Sequence, residues 1–527
     1  MFTRTEFDHA KWIATSSNAH VLLEELYDRG HQRPGRKVVT AAAFLVGLLL
    51  TCQEYGHVKL NKVARVLRSL PTAWLQELGM NEIDEAQIYR YSANLTRASD
   101  YSYERAPKLA DSDRKWRRDQ MVEVTHALIE ATLITRPSNG KDYAIDSTGI
   151  WSNRLGDSQR EALMAEPERE DQDAVIEAAN ESAHSVLNPT WHEASWGYKT
   201  KKAGGSEKFF GFDVHALIRV GERANDVADH ERTEPNLVEA ISVVAAGTDV
   251  VDPTLSILDR VLRRGQQIRY LFADRHYTYK KASRWRIALS RLGIKPIGDM
   301  HQSDQGFRLH DGIPWAAGQP HCPRVPTELG SIPALAPNAS SAQREMFEHK
   351  IEERFRYAAK IHTPLDSHGK ARFQCPALDN KIGCPRREGT LAMAMQEGLP
   401  IIQNPPEDPS APRICTKQTF LVDIEEDPQI RDLMKNHQNP IWGTREWRKL
   451  YRRRTYIEGW FGTVKDTVGL KRRSIRLNGI AMNFLAISIY ASLANRRHLQ
   501  KWHQDTGLGP RTHPLLSESQ EGVAEAA

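Results

Sequence analysis

Between Arg445 and Arg476 the chain carries eleven lysines and arginines against three acids, with an apolar stripe running through them. The stripe is Leu450, Ile457, Phe461, Val464 and Val468. At about 100° per residue, these five fall within an arc of about 60° on a helix. Tyr451, Arg454, Glu458 and Lys465 fall within a second arc of about 60° beside it. A segment of this kind docks through its apolar stripe and leaves its polar stripe facing water or a polyanion. Cations at this density suit a phosphate backbone. The plainer alternative is an amphipathic helix with intrahelical pairs such as Arg454–Glu458.

The rest of the chain sets the frame for that helix. Its 527 residues exceed one ordinary core and suggest about two to four domains. A net charge of +5 on this length says little about partners, so the local concentration of charge is what counts. The longest apolar run, Val38 to Cys52, is shorter than the roughly 20 residues of a membrane span. The opening MFTRTEFDHAKW has no apolar leader core. Five cysteines in a chain this long make no disulfide framework, and a reducing cytosol is expected.

Residues 1–130 read as helices: Thr40–Tyr55, the amphipathic Lys59–Leu70, a short helix after Pro71, and Glu85–Arg97. They could equally be a DNA-binding helix-turn-helix bundle or a plain helical bundle. Residues 131–300 alternate strand and helix patterns, with strands at 141–150, 195–201, 208–220, 268–273 and 293–298 and a helix at 235–264. An acidic stretch from Asp157 to Glu181 reads as a solvated helix or loop. Residues 301–440 turn rich in Pro, Gly and Cys and read as an insertion of short strands and loops. Helical periodicity returns over 441–500, and 501–527 reads as a disordered tail. The expected class is therefore α/β, with its last helix delivered from far along the chain.

The spacing Tyr451–x2–Arg454–x3–Glu458–x6–Lys465 resembles the Tyr–Arg–Glu–Lys signature of a large group of bacterial insertion-sequence transposases, which belong to the DDE transposases. YAIDSTGI resembles the context of that family's first aspartate and LFADRHY that of its second, which implies a catalytic set of Asp146, Asp274 and Glu458. KFFGFDVHALI resembles the strand between them. The likeness covers residues 140–300 and 444–495. It departs at His276, where the family frequently has Gly. It implies a ribonuclease-H-like catalytic core split between 131–300 and 441–500. It also implies Mg²⁺, with Mn²⁺ as a substitute, and DNA contacts by Tyr451, Arg454, Lys465, Arg472 and Arg473. The partners would be element terminal inverted repeats and target DNA, bridged by a homodimer in the bacterial cytoplasm at the nucleoid.

The chemistry agrees: metal-assisted phosphodiester transfer calls for hard oxygen ligands, and carboxylates at strand ends supply them rigidly. Taken alone, Asp146 is equally a turn cap for Ser147 and Thr148, and Asp274 equally a partner of Arg275 or Arg269. Asp213 is a further strand acid, read as lying on an exposed face. A metal-dependent nuclease without strand transfer, or a non-catalytic DNA-binding protein derived from a transposase, would share most of these features.

Cys322, Cys375, Cys384 and Cys415 all lie in the insertion, while Cys52 lies in an apolar helix and belongs to the core. Cysteine before proline resembles a zinc-knuckle turn, and His321 is a spare ligand. The four read either as a structural Zn²⁺ site or as unligated thiols.

Overall fold

The helix Gly479–Thr506 is apolar on nearly every side from Ala481 to Ala494, so it must be buried all round. In the computed structural model it is. The model describes residues 2–30, 38–103, 106–134, 141–151, 193–200, 206–221, 234–332, 335, 338–471, 474–510 and 512–516. The chain divides into two compact units. One is built from Met1–Asn139, Asp146–Gln266 and Tyr456–Ala527, the other from Gly140–Ile145 and Gln267–Thr455.

In the first unit the expected helices form at Ala41–Tyr55, Leu60–Arg68, Thr72–Glu77 and Glu85–Ser99, with Asp111–Glu130 after them. Thr40 caps Ala41–Tyr55, its hydroxyl accepting the Ala43 N–H at 3.1 Å. These helices are not a separate domain over 1–130. Ala41–Tyr55 and Asp111–Glu130 both pack on Gly479–Thr506. The Val58 N–H donates to the Ser474 carbonyl at 2.8 Å, and the Arg476 N–H donates to the Val58 carbonyl at 3.2 Å. The physical reason is that Ala41–Tyr55 is apolar all round, and a single layer of helices cannot cover it.

Strand β1 spans Lys141–Trp151, β2 Ser195–Thr200, β3 Ser206–Val220 and β4 Val238–Ala245. β2 pairs antiparallel with the first half of β3, and β4 pairs antiparallel with its second half. β4 corrects the helix expected over 235–264, because only Val251–Arg263 is helical there. VEAISVVA is a short apolar run that periodicity cannot assign, and the free length of β3 decides it. The end of β1 lies beside β3, where Trp151 and Phe209 pack with ring centroids 5.4 Å apart.

In the second unit β5 (Ile268–Ala273) pairs in parallel with the start of β1 and with β6 (Lys295–Gly298). The insertion contributes two antiparallel sheets. One comprises β7 (Arg308–His310), β8 (Ile313–Ala316) and β9 (Gln319–Pro320); the other β10 (Lys360–Thr363), β11 (Lys370–Gln374) and β12 (Thr419–Asp423). They share one core around Trp315, Phe373 and Phe420. A helix unforeseen in the sequence, Ser341–Arg356, opens with a capping box between Ser340 and Gln343. Its charged sequence buries little, so its apolar period is faint. The class is mixed α/β, with parallel and antiparallel pairing. No helix among the described residues is long and apolar enough to cross a membrane.

The expected tail from 501 needs correction too. Gly479–Thr506 runs on to a left-handed cap at Gly507, and Leu515 and Leu516 are buried. Trp502 and these two leucines hold a stretch that composition alone reads as loose. Arg472, Arg473 and 517–527 lie outside the described residues, as does the acidic stretch 157–181.

Asp213 is half-buried rather than on an open face, its carboxylate accepting the Gly247 N–H at 2.9 Å. Burial pushes it from the usual 3.8 up to about 6. A carboxyl raised on folding stabilises the fold below pH 4 and loses that contribution as pH rises through 6. Asp213→Asn should therefore be more stable than the wild type at pH 7.5, by about 2 kcal/mol, and not at pH 3.5. Urea denaturation at both values checks this, and a difference independent of pH would refute it.

Candidate functional site

β1 and β5 are locked in parallel register by the pairs Tyr143↔Leu271 and Ala144↔Phe272. Each strand reaches its candidate acid two residues later, Asp146 after Ala144 and Asp274 after Phe272. Two residues is one strand period, the spacing at which a continuing strand returns to the same face. β1 runs to Trp151, close to the expected 141–150, so Asp146 lies within the strand rather than at its end. Asp146 instead marks where the pairing with β5 has stopped. The Ser147 N–H donates to its Oδ1 at 2.8 Å.

Within the second unit, Asp274 caps the short helix Arg275–Thr278, its Oδ1 accepting the His276 N–H at 2.9 Å. The arginines proposed to neutralise it make their ion pairs with other acids, although Arg275 also feels the charge of Asp274. Arg269 grips the fully buried Asp142 through two bonds of 2.8 Å, with Arg453 as a third partner. Arg275 donates to Asp299 at 2.6 Å, and this bond is the main reason its guanidinium holds its proton more tightly than usual. Asp299 follows β6 as Asp274 follows β5, and the two strands are adjacent with Ala273↔Gly298 paired. It also accepts the Trp442 indole N–H at 3.0 Å.

Tyr451 packs into this corner. Its ring stacks on Trp447 at 4.7 Å, and the Arg454 guanidinium lies 5.8 Å from its centroid. Burial raises its phenol well above the ordinary range; Arg454 pulls it down, and Asp299 and Asp274 push it up further. Trp447 is fixed by Gln438, which also holds both backbone groups of Gly298.

The motif segment is not one uniform α-helix. Arg445–Tyr451 is α-helical, Arg452–Arg454 a 3₁₀ turn, Thr455–Gly462 α-helical and Thr463–Val468 a π turn. The 3₁₀ turn brings residues three apart into line, which sets Arg454 over Tyr451. The tighter and wider turns replace the uniform 100° step on which the single polar arc rested.

In the first unit the remaining motif residues come together. Ile457, Phe461, Val464 and Val468 are buried as the stripe requires, and Glu458 is exposed. Lys465 donates to the hydroxyl of Thr148, two residues beyond Asp146. The segment is anchored from behind by Asn495. The Asn495 Oδ1 accepts the Trp460 indole N–H at 3.1 Å and the Val238 N–H at 3.0 Å. Its Nδ2 donates to Val238 O at 2.7 Å and Thr132 Oγ1 at 3.0 Å. The far end is pinned by Gly469, whose φ of +100° and contact with the Gly56 backbone leave no room for a Cβ.

All four insertion cysteines line one pocket of the second unit. Burial pushes the Cys322 thiol up to about 12 and that of Cys415 to about 11, and each feels Cys375 and Cys384. His321 does not join them; it is buried beside Arg354 and Trp442 in another cavity. Among the described residues no group of three or more His, Cys, Asp or Glu side chains is arranged to hold a metal ion as it stands. The chain matches no protein-family model, no curated protein and no solved structure.

Asp142, Asp299, Gln438 and Asn495 were missed from the sequence. The signal used for Asp274, a short apolar strand followed at once by an acid, also marks Asp299 after Ile294–Gly298. Asn495, inside an apolar helix, gives no such signal. Asn495→Ala strips partners from the Trp460 indole and from Val238, both buried. It should cost about 3 kcal/mol of stability in urea denaturation and red-shift tryptophan emission. A loss below about 1 kcal/mol would show that this carboxamide does not hold the segment.

Proposed function

We propose that this chain is a DNA transposase with a ribonuclease-H-like core, which binds element ends, cleaves DNA and joins the freed end to a target. The carrying observation is the register of β1 and β5. Asp146 and Asp274 each follow the pair Ala144↔Phe272 by one strand period. Two acids, each two positions along the chain from a residue of that one parallel pair, follow the pattern expected of a metal-binding pair rather than of two unrelated turn caps. Arg269 grips Asp142 and Arg275 bonds to Asp299, so the main ion pairs of both arginines are made with acids other than Asp274. The tie from Lys465 to Thr148 supports the same reading for the Glu458 segment.

Asp146, Asp274 and Glu458 would together hold Mg²⁺, or Mn²⁺ in its place. The donor set fits, being hard carboxylate oxygens on half-buried or exposed side chains that a hydrated cation can reach. Bound divalent ions supply activation of the attacking oxygen and charge stabilisation of the leaving one. The chain's own cations do the rest. Arg454 and Lys465 hold backbone phosphates, Tyr451 fixes the angle of Arg454, and Arg472 and Arg473 extend the basic track. A homodimer would bridge two ends.

The deciding experiment incubates purified protein and Mg²⁺ with DNA carrying the flanking inverted repeats. Cleaved and joined products are expected. Cleavage without joining would make the protein a nuclease, and neither product a non-catalytic DNA-binding protein.

Glu458→Gln, Asp146→Asn and Asp274→Asn each keep shape and lose one negative charge. Each variant should lose nearly all cleavage, stay folded and still shift end DNA in a gel, with Mn²⁺ restoring a trace. Wild-type cleavage by Glu458→Gln would remove it from the set. Arg454→Ala should weaken end binding and lower the slope of log affinity against log salt by about 0.9, one phosphate contact. An unchanged slope would mean that Arg454 is only an intrahelical partner.

A further inference from the structure

We propose that Cys322, Cys375, Cys384 and Cys415 form a structural tetrathiolate site for one Zn²⁺, independent of the DNA chemistry. These residues are 53, 9 and 31 positions apart, yet the fold of the insertion brings all four to the wall of one pocket. The sheet explains how. Cys375 directly follows β11, and Cys415 lies just before β12. Those strands pair with Gln374 opposite Thr419, so both cysteines sit at one end of the sheet. The same end receives Cys322, whose N–H donates to the Tyr357 carbonyl at 2.8 Å shortly before β10. Cys384 arrives from the loop that returns through Ile402, bonded to Gly383.

Burial alone keeps the Cys322 and Cys415 sulfurs protonated, so thiolate forms here only with a cation, and the local geometry is arranged for one. Cys322, Cys375 and Cys384 each precede a proline. In the two Cys-Pro-Arg turns, the backbone N–H of Arg324 donates to the Cys322 sulfur and that of Arg386 to the Cys384 sulfur. An amide aimed at sulfur stabilises its anion and fixes its direction. Apart from the cysteines, the pocket is lined by proline, isoleucine and two arginines, with no carboxylate or imidazole to compete as a ligand. The Nε atoms of Arg386 and Arg387 are buried there without a hydrogen-bond partner. Four thiolates around Zn²⁺ leave two negative charges, and the guanidiniums of Arg387 and of Arg386, the latter also paired with Asp408 at 3.0 Å, lie beside them.

Strands of two to five residues give the insertion little pairing of its own, which is where a metal staple adds most. Soft sulfur ligands select zinc over Mg²⁺ or Ca²⁺. The sulfurs close around the ion to the Zn–S distance of about 2.3 Å on binding.

The test uses the full-length protein purified under reducing conditions without chelator. Elemental analysis should find one zinc per chain, and X-ray absorption at the zinc edge should find four sulfur neighbours at about 2.3 Å. Cys375→Ser and Cys384→Ser should each cut zinc content at least about tenfold, while Cys52→Ser keeps it. The absorption measurement needs only the wild type, so it decides the matter even if a serine variant fails to fold. No zinc in the purified protein and none taken up on adding Zn²⁺ would overturn the site. So would zinc held by nitrogen or oxygen, or disulfides linking these cysteines.

Discussion

The first unit depends on the carboxamide of Asn495. Its two N–H donors and two acceptor lone pairs are all used, on Thr132, Val238 and Trp460. With Val238 it makes the pair of bonds that a neighbouring strand would make, so it closes the edge of β4 from a helix. With Trp460 it fixes the segment that carries Glu458 two residues earlier. One buried side chain thus sets a sheet edge, a long helix and a candidate acid against one another. Because the amide is satisfied at every position, it specifies a single arrangement that an apolar residue there could not.

Each unit joins distant stretches of the chain through its own polar contacts. The first joins Thr148 to Lys465, and the second joins Asp142 to Arg269 and Arg453, and Arg275 to Asp299. The buried Asp142 is balanced by two guanidiniums. The insertion follows a different rule: its strands are short, and its cysteines converge where its sheet ends.

Changes of winding matter as much as position. A 3₁₀ turn before Glu458 and a π turn after it divide the motif segment. Local interactions do not favour either winding over a plain α-helix, so both reflect packing. The first aligns Arg454 with Tyr451. The second ends in Gly469 against Gly56, a backbone contact that only glycine permits.

What the sequence determined is what short range determines. Apolar periodicity set the helices Ala41–Tyr55 and Leu60–Arg68 to within a few residues and the presence of the long C-terminal helix, and short apolar runs set β1, β3 and β5. The buried stripe of Ile457, Phe461, Val464 and Val468 was legible for the same reason, because burial follows the helical repeat. The tertiary structure alone decided that VEAISVVA is a strand, that Arg269 serves Asp142 rather than Asp274, and that the N-terminal helices join the C-terminal one. It alone gathered four widely spaced cysteines at one sheet end. Each of these outcomes turns on which distant partner satisfies a strand edge, a charge or an apolar face. No window of neighbouring residues contains that information.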